Sequence, residues 1–136
     1  MVPSWYRTSQ NPTAGSYFVE QAQALRARGH TVGVAYSEGR SLSSLRPKEL
    51  LESHYQFEDS LEDGLQTVRW KTWNTLAQYG GVGAKMTIWM QVLACKKYAQ
   101  RHGVPDVIHA HSAIYGGCAA KEASKQLGVP FVIITV

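Results

Sequence analysis

The stretch PDVIHAHSAIYGG, Pro105 to Gly117, decides how this chain folds. A short apolar run ends in two histidines and a serine, and a glycine-rich turn then opens a segment of small residues. Gly103-Val104-Pro105 leads into the run. The same punctuation recurs at Gly128-Val129-Pro130, ahead of a second apolar run from Phe131 to Thr135. Short connections into nearly continuous apolar strands indicate parallel strands covered on both faces. Between the strands, Gly116, Gly117, Ala119, Ala120 and Ala123 give a helix, expected from about Tyr115 to Leu127, a small face that can lie close to a sheet. The pattern predicts an α/β fold, a Rossmann-like doubly wound parallel sheet.

Upstream, a long helix is expected from Ala84 to His102. Its middle is apolar nearly all round, as in a helix buried on more than one side. At the other end of the chain, Phe18, Ala22 and Leu25 mark a helix from about Gly15 to Arg28. Thr13 or Ser16 is its expected cap and Gly29 its stop. His30 to Tyr36 alternates as a strand. Residues 37–60 are polar, with a short helix expected around Pro47 to His54. Glu58, Asp59, Glu62 and Asp63 read as an acidic loop, and Leu65 to Trp70 reads as a strand.

The 136 residues fit one domain with a core that needs no disulfide. Lys plus Arg number 14 against 10 Asp plus Glu, a net charge of +4, which is ordinary for a solvated surface. Cys95 and Cys118 form no CxxC pair and read as reduced core residues. No stretch has the apolar length of a membrane span, and Met1 is followed at once by Pro3, Ser4 and Trp5, unlike a signal peptide. The expected location is cytoplasmic, with a peripheral position at the inner membrane face as an option.

In open α/β sheets, ligands bind beyond the C-terminal ends of the strands. His109, His111 and Ser112 fall there. Residues two apart share a face, so both rings point the same way, with His111 expected nearer the mouth and His109 nearer the core. His111 is the candidate catalytic residue, since an imidazole can accept a proton from a hydroxyl or hold a leaving group. A metal is not expected, because His-x-His has no third ligand at suitable spacing. Gly15, at the start of the first helix, would leave backbone N–H groups open to an anion. Neither a GxGxxG nor a Walker loop occurs. Arg69, Trp70, Lys71 and Trp73 form a basic-aromatic stretch that could meet a sugar, a lipid headgroup or a partner. The plainer reading is a half-buried strand with snorkelling lysines.

Two segments carry a family resemblance. PSWYRTSQNPTAGSYFVEQAQALRARGHTVGV, from Pro3, and PDVIHAHSAIYGGCAAKEASKQLGVPFVIIT, from Pro105, resemble the N-terminal domain of family 4 retaining glycosyltransferases of the GT-B fold. The resemblance covers both ends of the chain well and the middle poorly. It implies the acceptor-binding half of an enzyme that transfers a hexose from a nucleotide-sugar to a hydroxyl, with a role in cell-surface polysaccharide biosynthesis. By position, His111 matches a histidine lining the cleft near the transferred sugar, and Gly15 matches the glycine of the loop that approaches the donor diphosphate. Ser16 and Ser112 are the further substrate-binding candidates. The implied partners are the nucleotide-sugar, as co-substrate with no other cofactor, and a sugar or lipid-linked acceptor. Arg7 departs from the pattern by standing where many relatives have proline. Only Met1 and Val2 remain where a first strand is expected. The resemblance further implies a donor-binding domain beyond this stretch, so little activity is expected of these residues alone.

Two other classes compete. A stand-alone nucleotide- or sugar-phosphate-binding module would share the fold without the chemistry. A basic interaction domain would use Trp70, Lys71 and Trp73 on a membrane surface or a nucleic acid. No nucleic-acid-binding motif is present, and oligomeric state is not legible.

Overall fold

The computed structural model describes residues 1–8, 11–40, 56–73 and 80–135. The elements are α1 (Ser16–Ala27), β1 (Gly33–Arg40), β2 (Gln56–Glu62), β3 (Leu65–Trp73), α2 (Gly81–His102), β4 (Ile108–His111), α3 (Cys118–Leu127) and β5 (Phe131–Ile134). A π-helical turn, Ser112–Gly117, joins β4 to α3.

β3 pairs parallel with β1 and antiparallel with β2, and β4 pairs parallel with β5. Met1 and Val2 join the two groups of strands. The Met1 amino group donates to Gly33 O at 2.6 Å, and Ala35 N–H donates to Met1 O at 3.0 Å. On the other side Val2 N–H donates to His109 O at 2.8 Å, and His111 N–H donates to Val2 O at 3.1 Å. Two residues therefore act as the central strand, and the strands run in the order β2, β3, β1, Met1–Val2, β4, β5. The chain order reverses between Met1–Val2 and β4, which is the switch point where doubly wound sheets bind ligands.

Side-chain alternation sends successive residues to opposite faces. Val2, Ala35, Ile108 and Ala110 face α2 and α3, where they pack on Val92, Cys95, Ala119, Ala120 and Ala123. Val34 and Leu65 face α1 and pack with Tyr6, Phe18 and Ala22. The odd positions of β4, His109 and His111, therefore fall on the α1 side. The sheet is covered on both faces at its centre, as the sequence predicts. β5 differs: Phe131 packs on the core and Gly117 of the π-helical turn lies against Ile133, yet Val132 and Ile133 remain partly exposed.

Several expectations need correction. The acidic stretch at Glu58–Asp63 is strand and turn. Asp63 and Gly64, with φ of 50° and 76°, make the two-residue turn of a β2–β3 hairpin, and positive φ at both central positions matches the twist of the flanking strands. The carboxylates gain partners there: Glu62 with Arg69 at 2.8 Å, Glu58 with Lys71 at 2.7 Å, and Asp59 with His102 at 2.7 Å. β1 starts at Gly33 and runs on to Arg40, the full length of its register with β3. α2 begins at Gly81, three residues before the expected start. Met90, Ala94 and Cys95 are buried on it, whereas Trp89 is exposed. Gly15 caps α1 in the left-handed conformation, and neither Thr13 nor Ser16 makes a side-chain cap. Cys95 is buried as expected; Cys118 is exposed, since Ala119, Ala120 and Ala123 form the face that α3 turns inward. The short helix expected at 47–54 lies outside the described residues.

Candidate functional site

At the switch point the chain makes a tightly tied junction. The Ser4 hydroxyl donates to His111 O at 2.7 Å and accepts from Gly116 N–H at 2.8 Å. A Cβ on Gly116 would stand 2.6 Å from His111 O and 2.8 Å from Val2 O. Only glycine allows the turn to come this close to the strand ends. Between these ties sits Ser112 at φ +68°. A non-glycine residue held there stores backbone strain of order 1–3 kcal/mol, of the kind that gathers at ligand sites.

This junction forms one wall of a pocket of about 620 Å³, lined by Trp5, Gly15, Ser16, Tyr17, Phe18, His111, Ser112, Ala113, Ile114, Ile134 and Thr135. All four residues that the sequence nominated, His111, Gly15, Ser16 and Ser112, thus meet in one place. Gly15 has a structural reason to be glycine. Its φ is +74°, and a Cβ would lie 3.1 Å from Trp5 O and 3.2 Å from Tyr6 Cα. It lets α1 begin against the Trp5–Tyr6 backbone, and so places Ser16 and Tyr17 on the pocket wall.

His111 departs from the expectation in one respect. It was expected nearer the mouth than His109, yet His111 is 1% exposed and His109 is half-buried. The cause is aromatic cover. Phe18 lies 4.3 Å from the His111 ring and Tyr17 6.4 Å, edge-on, while His109 stacks on its other side at 4.8 Å and 14°. The imidazole forms the pocket floor. Neither of its ring nitrogens has a hydrogen-bond partner in the protein. Burial, then repulsion from His109 and from the terminal ammonium, lowers its pKa from 6.5 to about 4, so the ring is neutral at pH 7. A buried, neutral imidazole with free nitrogens can donate one hydrogen bond and accept another. Leaving them unmet costs about 1–3 kcal/mol.

Sequence reading missed three contributors here. Trp5 and Tyr17 are exposed aromatics at the rim, and Ser4 is the hydroxyl that ties the junction. Tryptophan and tyrosine give no spacing signal in a turn, and a lone serine after a strand gives less.

The basic-aromatic stretch 69–73 lies elsewhere and is spoken for. The Arg69 guanidinium donates to both Glu62 carboxylate oxygens, at 2.8 and 2.9 Å, and to Arg7 O at 2.8 Å. It also sits 5.0 Å from the Tyr6 ring centroid. Trp70 packs on the core and on Phe57, their ring centroids 4.0 Å apart. This is the half-buried strand of the plainer reading, with paired charges. No described helix is long and apolar enough to cross a membrane.

A second cavity, about 790 Å³, opens toward the other end of the strands, beside Thr31–Gly33 and Asp106–His109. It lacks the strained turn and lies away from the C-terminal strand ends.

A doubly wound α/β domain with an unpartnered polar group in a pocket at its switch point belongs to the class that binds a ligand across its strand ends. The family model described as a glycosyl transferase 4-like domain matches residues 13–136, and the chain belongs to that family, as an N-terminal-type domain of family 4 glycosyltransferases. Both nominated segments fall within the match, the first from Thr13 onward. None of the curated proteins and none of the solved structures matches the chain.

Proposed function

We propose that this domain is the acceptor-binding half of a retaining glycosyltransferase, which moves a hexose from a nucleotide-sugar to an acceptor hydroxyl. The observation that carries the reading is the switch-point pocket where Gly15, Ser16, Ser112 and His111 meet; the two His111 ring nitrogens have no protein partner and lie closed to solvent behind Phe18 and Tyr17, so a ligand reaches them with a shift of that cover. The role of His111 is to hold a hydroxyl of the transferred sugar or of the acceptor by hydrogen bonding, with no covalent bond to the enzyme. Gly15 and Ser16 open α1 at the same wall, where the helix N-terminus favours the leaving diphosphate. Ser112 faces the acceptor. The described pocket lining contains no cation. The charge developing on the diphosphate must therefore be met mainly by groups outside it, and these residues alone transfer slowly or not at all.

The test is His111→Ala in the protein that carries this domain, assayed for transfer from a panel of labelled nucleotide-sugars. A loss of about 100-fold in kcat, with the fold intact by circular dichroism, is the expected result. Transfer near the unmutated rate would remove His111 from the mechanism. Nucleotide-sugar binding without turnover by any acceptor would favour the alternative, a binding module without chemistry.

A further inference from the structure

We infer that the outward face of α2 docks on an anionic lipid surface, with Trp89 entering the interface and Lys85 and Lys96 meeting the headgroups. The inference is independent of the transferase reading and concerns the side of the sheet opposite α1.

The face follows from the helical period. Val82, Lys85, Met86, Trp89, Leu93 and Lys96 share one stripe of α2. Around the rest of the helix, Met90, Gln91, Val92, Ala94 and Cys95 are buried. The stripe is the side left to solvent: Trp89 is 56% exposed and Val82 54%, Lys85 is exposed, and Met86, Leu93 and Lys96 are half-buried. An outward helix face is ordinarily polar. Here four apolar side chains follow one another along about three turns. A lone exposed apolar residue would mean little, but a line of them marks a surface that meets something. The sequence of α2 reads as apolar nearly all round because it has two apolar sides, and the fold covers one.

Charge selects the occupant. From Gly81 to His102 there is no Asp or Glu, against Lys85, Lys96, Lys97 and Arg101. The last two are engaged: Lys97 lies 5.3 Å from the Phe57 ring centroid, and Arg101 3.4 Å from Asp59. Lys85 and Lys96 make no ion pair with any described residue. They flank Trp89 on the stripe, one turn before it and about two turns after it. A protein partner would have to bury both ammonium groups, and lysine is depleted at the cores of protein interfaces. A lipid surface makes no such demand. The lysine stems lie along the apolar boundary while the ammonium groups stay among the phosphates. Tryptophan suits the same boundary, its ring apolar and its N–H wet. Tryptophan and leucine beside unpaired lysines, with no carboxylate on the face, are the makings of an interfacial helix.

The face is also held rigidly. Val92, Ala94 and Cys95 pack with Ala119, Ala120 and Ala123. The Gln91 amide donates to Ala35 O at 2.6 Å and accepts from Ser37 N–H at 2.7 Å. The stripe is therefore in place before any lipid arrives. The stretch 69–73 offers the same residue types, but its charges are paired within the fold.

The test floats the full chain with vesicles of phosphatidylcholine, with and without about 30% phosphatidylglycerol, at about 0.05 M and about 0.5 M salt. Flotation is expected with the anionic vesicles at low salt, and little of it at high salt or with phosphatidylcholine alone. Trp89→Ala should weaken partition about tenfold. Lys85→Gln and Lys96→Gln should each weaken it about fivefold. Brominated lipid should quench part of the tryptophan fluorescence, and Trp89→Phe should abolish that part. Arg28→Glu, an exposed change at the end of α1 on the other face of the sheet, should leave partition within about twofold. Circular dichroism checks that each variant is folded. No flotation with anionic vesicles at low salt, equal flotation with phosphatidylcholine alone, or unchanged partition in a folded Trp89→Ala variant would each overturn the inference. So would a loss in Arg28→Glu equal to that of the lysine changes, since net charge alone would then explain binding. A dimer in solution that Trp89→Ala converts to monomer would give the face to a second copy, and tighter binding to polyglutamate than to vesicles would give it to an acidic protein; either result overturns the lipid assignment.

Discussion

Two buried polar groups on the α1 side of the sheet are treated in opposite ways. On β3, Arg69 is surrounded: Glu62 takes two of its N–H groups, Arg7 O takes another, Glu38 stands at 3.6 Å, and the Tyr6 and Tyr36 rings flank it. At the end of β4, His111 is more deeply buried and its side chain has no partner at all. Arg69 carries a full charge that cannot be shed, so it must be paired to be buried. His111 becomes neutral instead, and its hydrogen-bonding capacity stays unmet beneath the aromatic cover at the edge of the pocket. The more conspicuous residue, the arginine in its basic-aromatic stretch, serves stability; the quieter imidazole is the better site candidate.

The contrast is broken most directly at Arg69. Arg69→Met leaves Glu62 and Glu38 without their cation and frees the Arg7 carbonyl, and the expected loss is about 3–4 kcal/mol. Combining it with Glu62→Leu should recover a large part of that, since the stranded carboxylate is the main cost. Urea unfolding at neutral pH measures both. A loss below about 1 kcal/mol for the single change would mean that the network carries no more than an ordinary surface pair.

The second break concerns His111 and pH. Its pKa in the fold is about 4 against 6.5 unperturbed. Between those values the unfolded chain takes up a proton that the folded chain refuses. The His111 contribution to stability is therefore level above pH 6.5, falls as the pH drops through the window, and levels again below about 4, a total of about 3 kcal/mol; the buried Met1 amino group, its pKa lowered to about 6, adds a fall of the same sign at higher pH. His109, whose pKa is lowered by burial and then by the terminal ammonium, adds in the same direction. His111→Leu should make the slope between about pH 6.5 and about pH 4 distinctly shallower and, at pH 7, leave stability unchanged or raised by about 1 kcal/mol, because the orphaned nitrogens go with it. Urea midpoints from about pH 7 to about pH 4 decide it. A slope that persists in full in His111→Leu would show that other groups carry the acid sensitivity.

The same two regions show what a single sequence reveals. The fold class was legible because the Gly-Val-Pro joints and the small-residue helix report directly on parallel strands; the strand order was not, since it rests on Met1 and Val2 bridging β1 and β4. His111 and Ser112 were legible because a strand end followed by a glycine-rich turn has a fixed place in such a sheet; Gly15 and Ser16 were legible only from the start of the first helix and the family resemblance. The depth of His111 was not, since it depends on Phe18 and Tyr17 reaching across from α1, nearly a hundred positions earlier. The hairpin had a signal that went unread: Asp63-Gly64 is a strong two-residue turn marker, but the charges around it suggested a loop. Their partners, Arg69, Lys71 and His102, become visible only once the strands are paired. Trp5 belongs to the same class of omission, because exposure at a rim leaves no periodic trace.

The smallest expected effect lies at Ser4, where the comparison is sharpest. Its hydroxyl makes two good hydrogen bonds, one to His111 O and one from Gly116 N–H, much as Arg69 makes several. Unlike Arg69, it is neutral and half-buried, so water can replace part of what it loses. Ser4→Ala should cost about 1 kcal/mol, well below the loss at Arg69. It removes no ring from the aromatic cover and no titrating group, so the acid slope assigned to His111 should be retained. A cost equal to that of Arg69→Met would mean that Ser4 itself maintains the strained turn at Ser112. The junction, and not the charge network, would then be the stability centre of this side of the sheet.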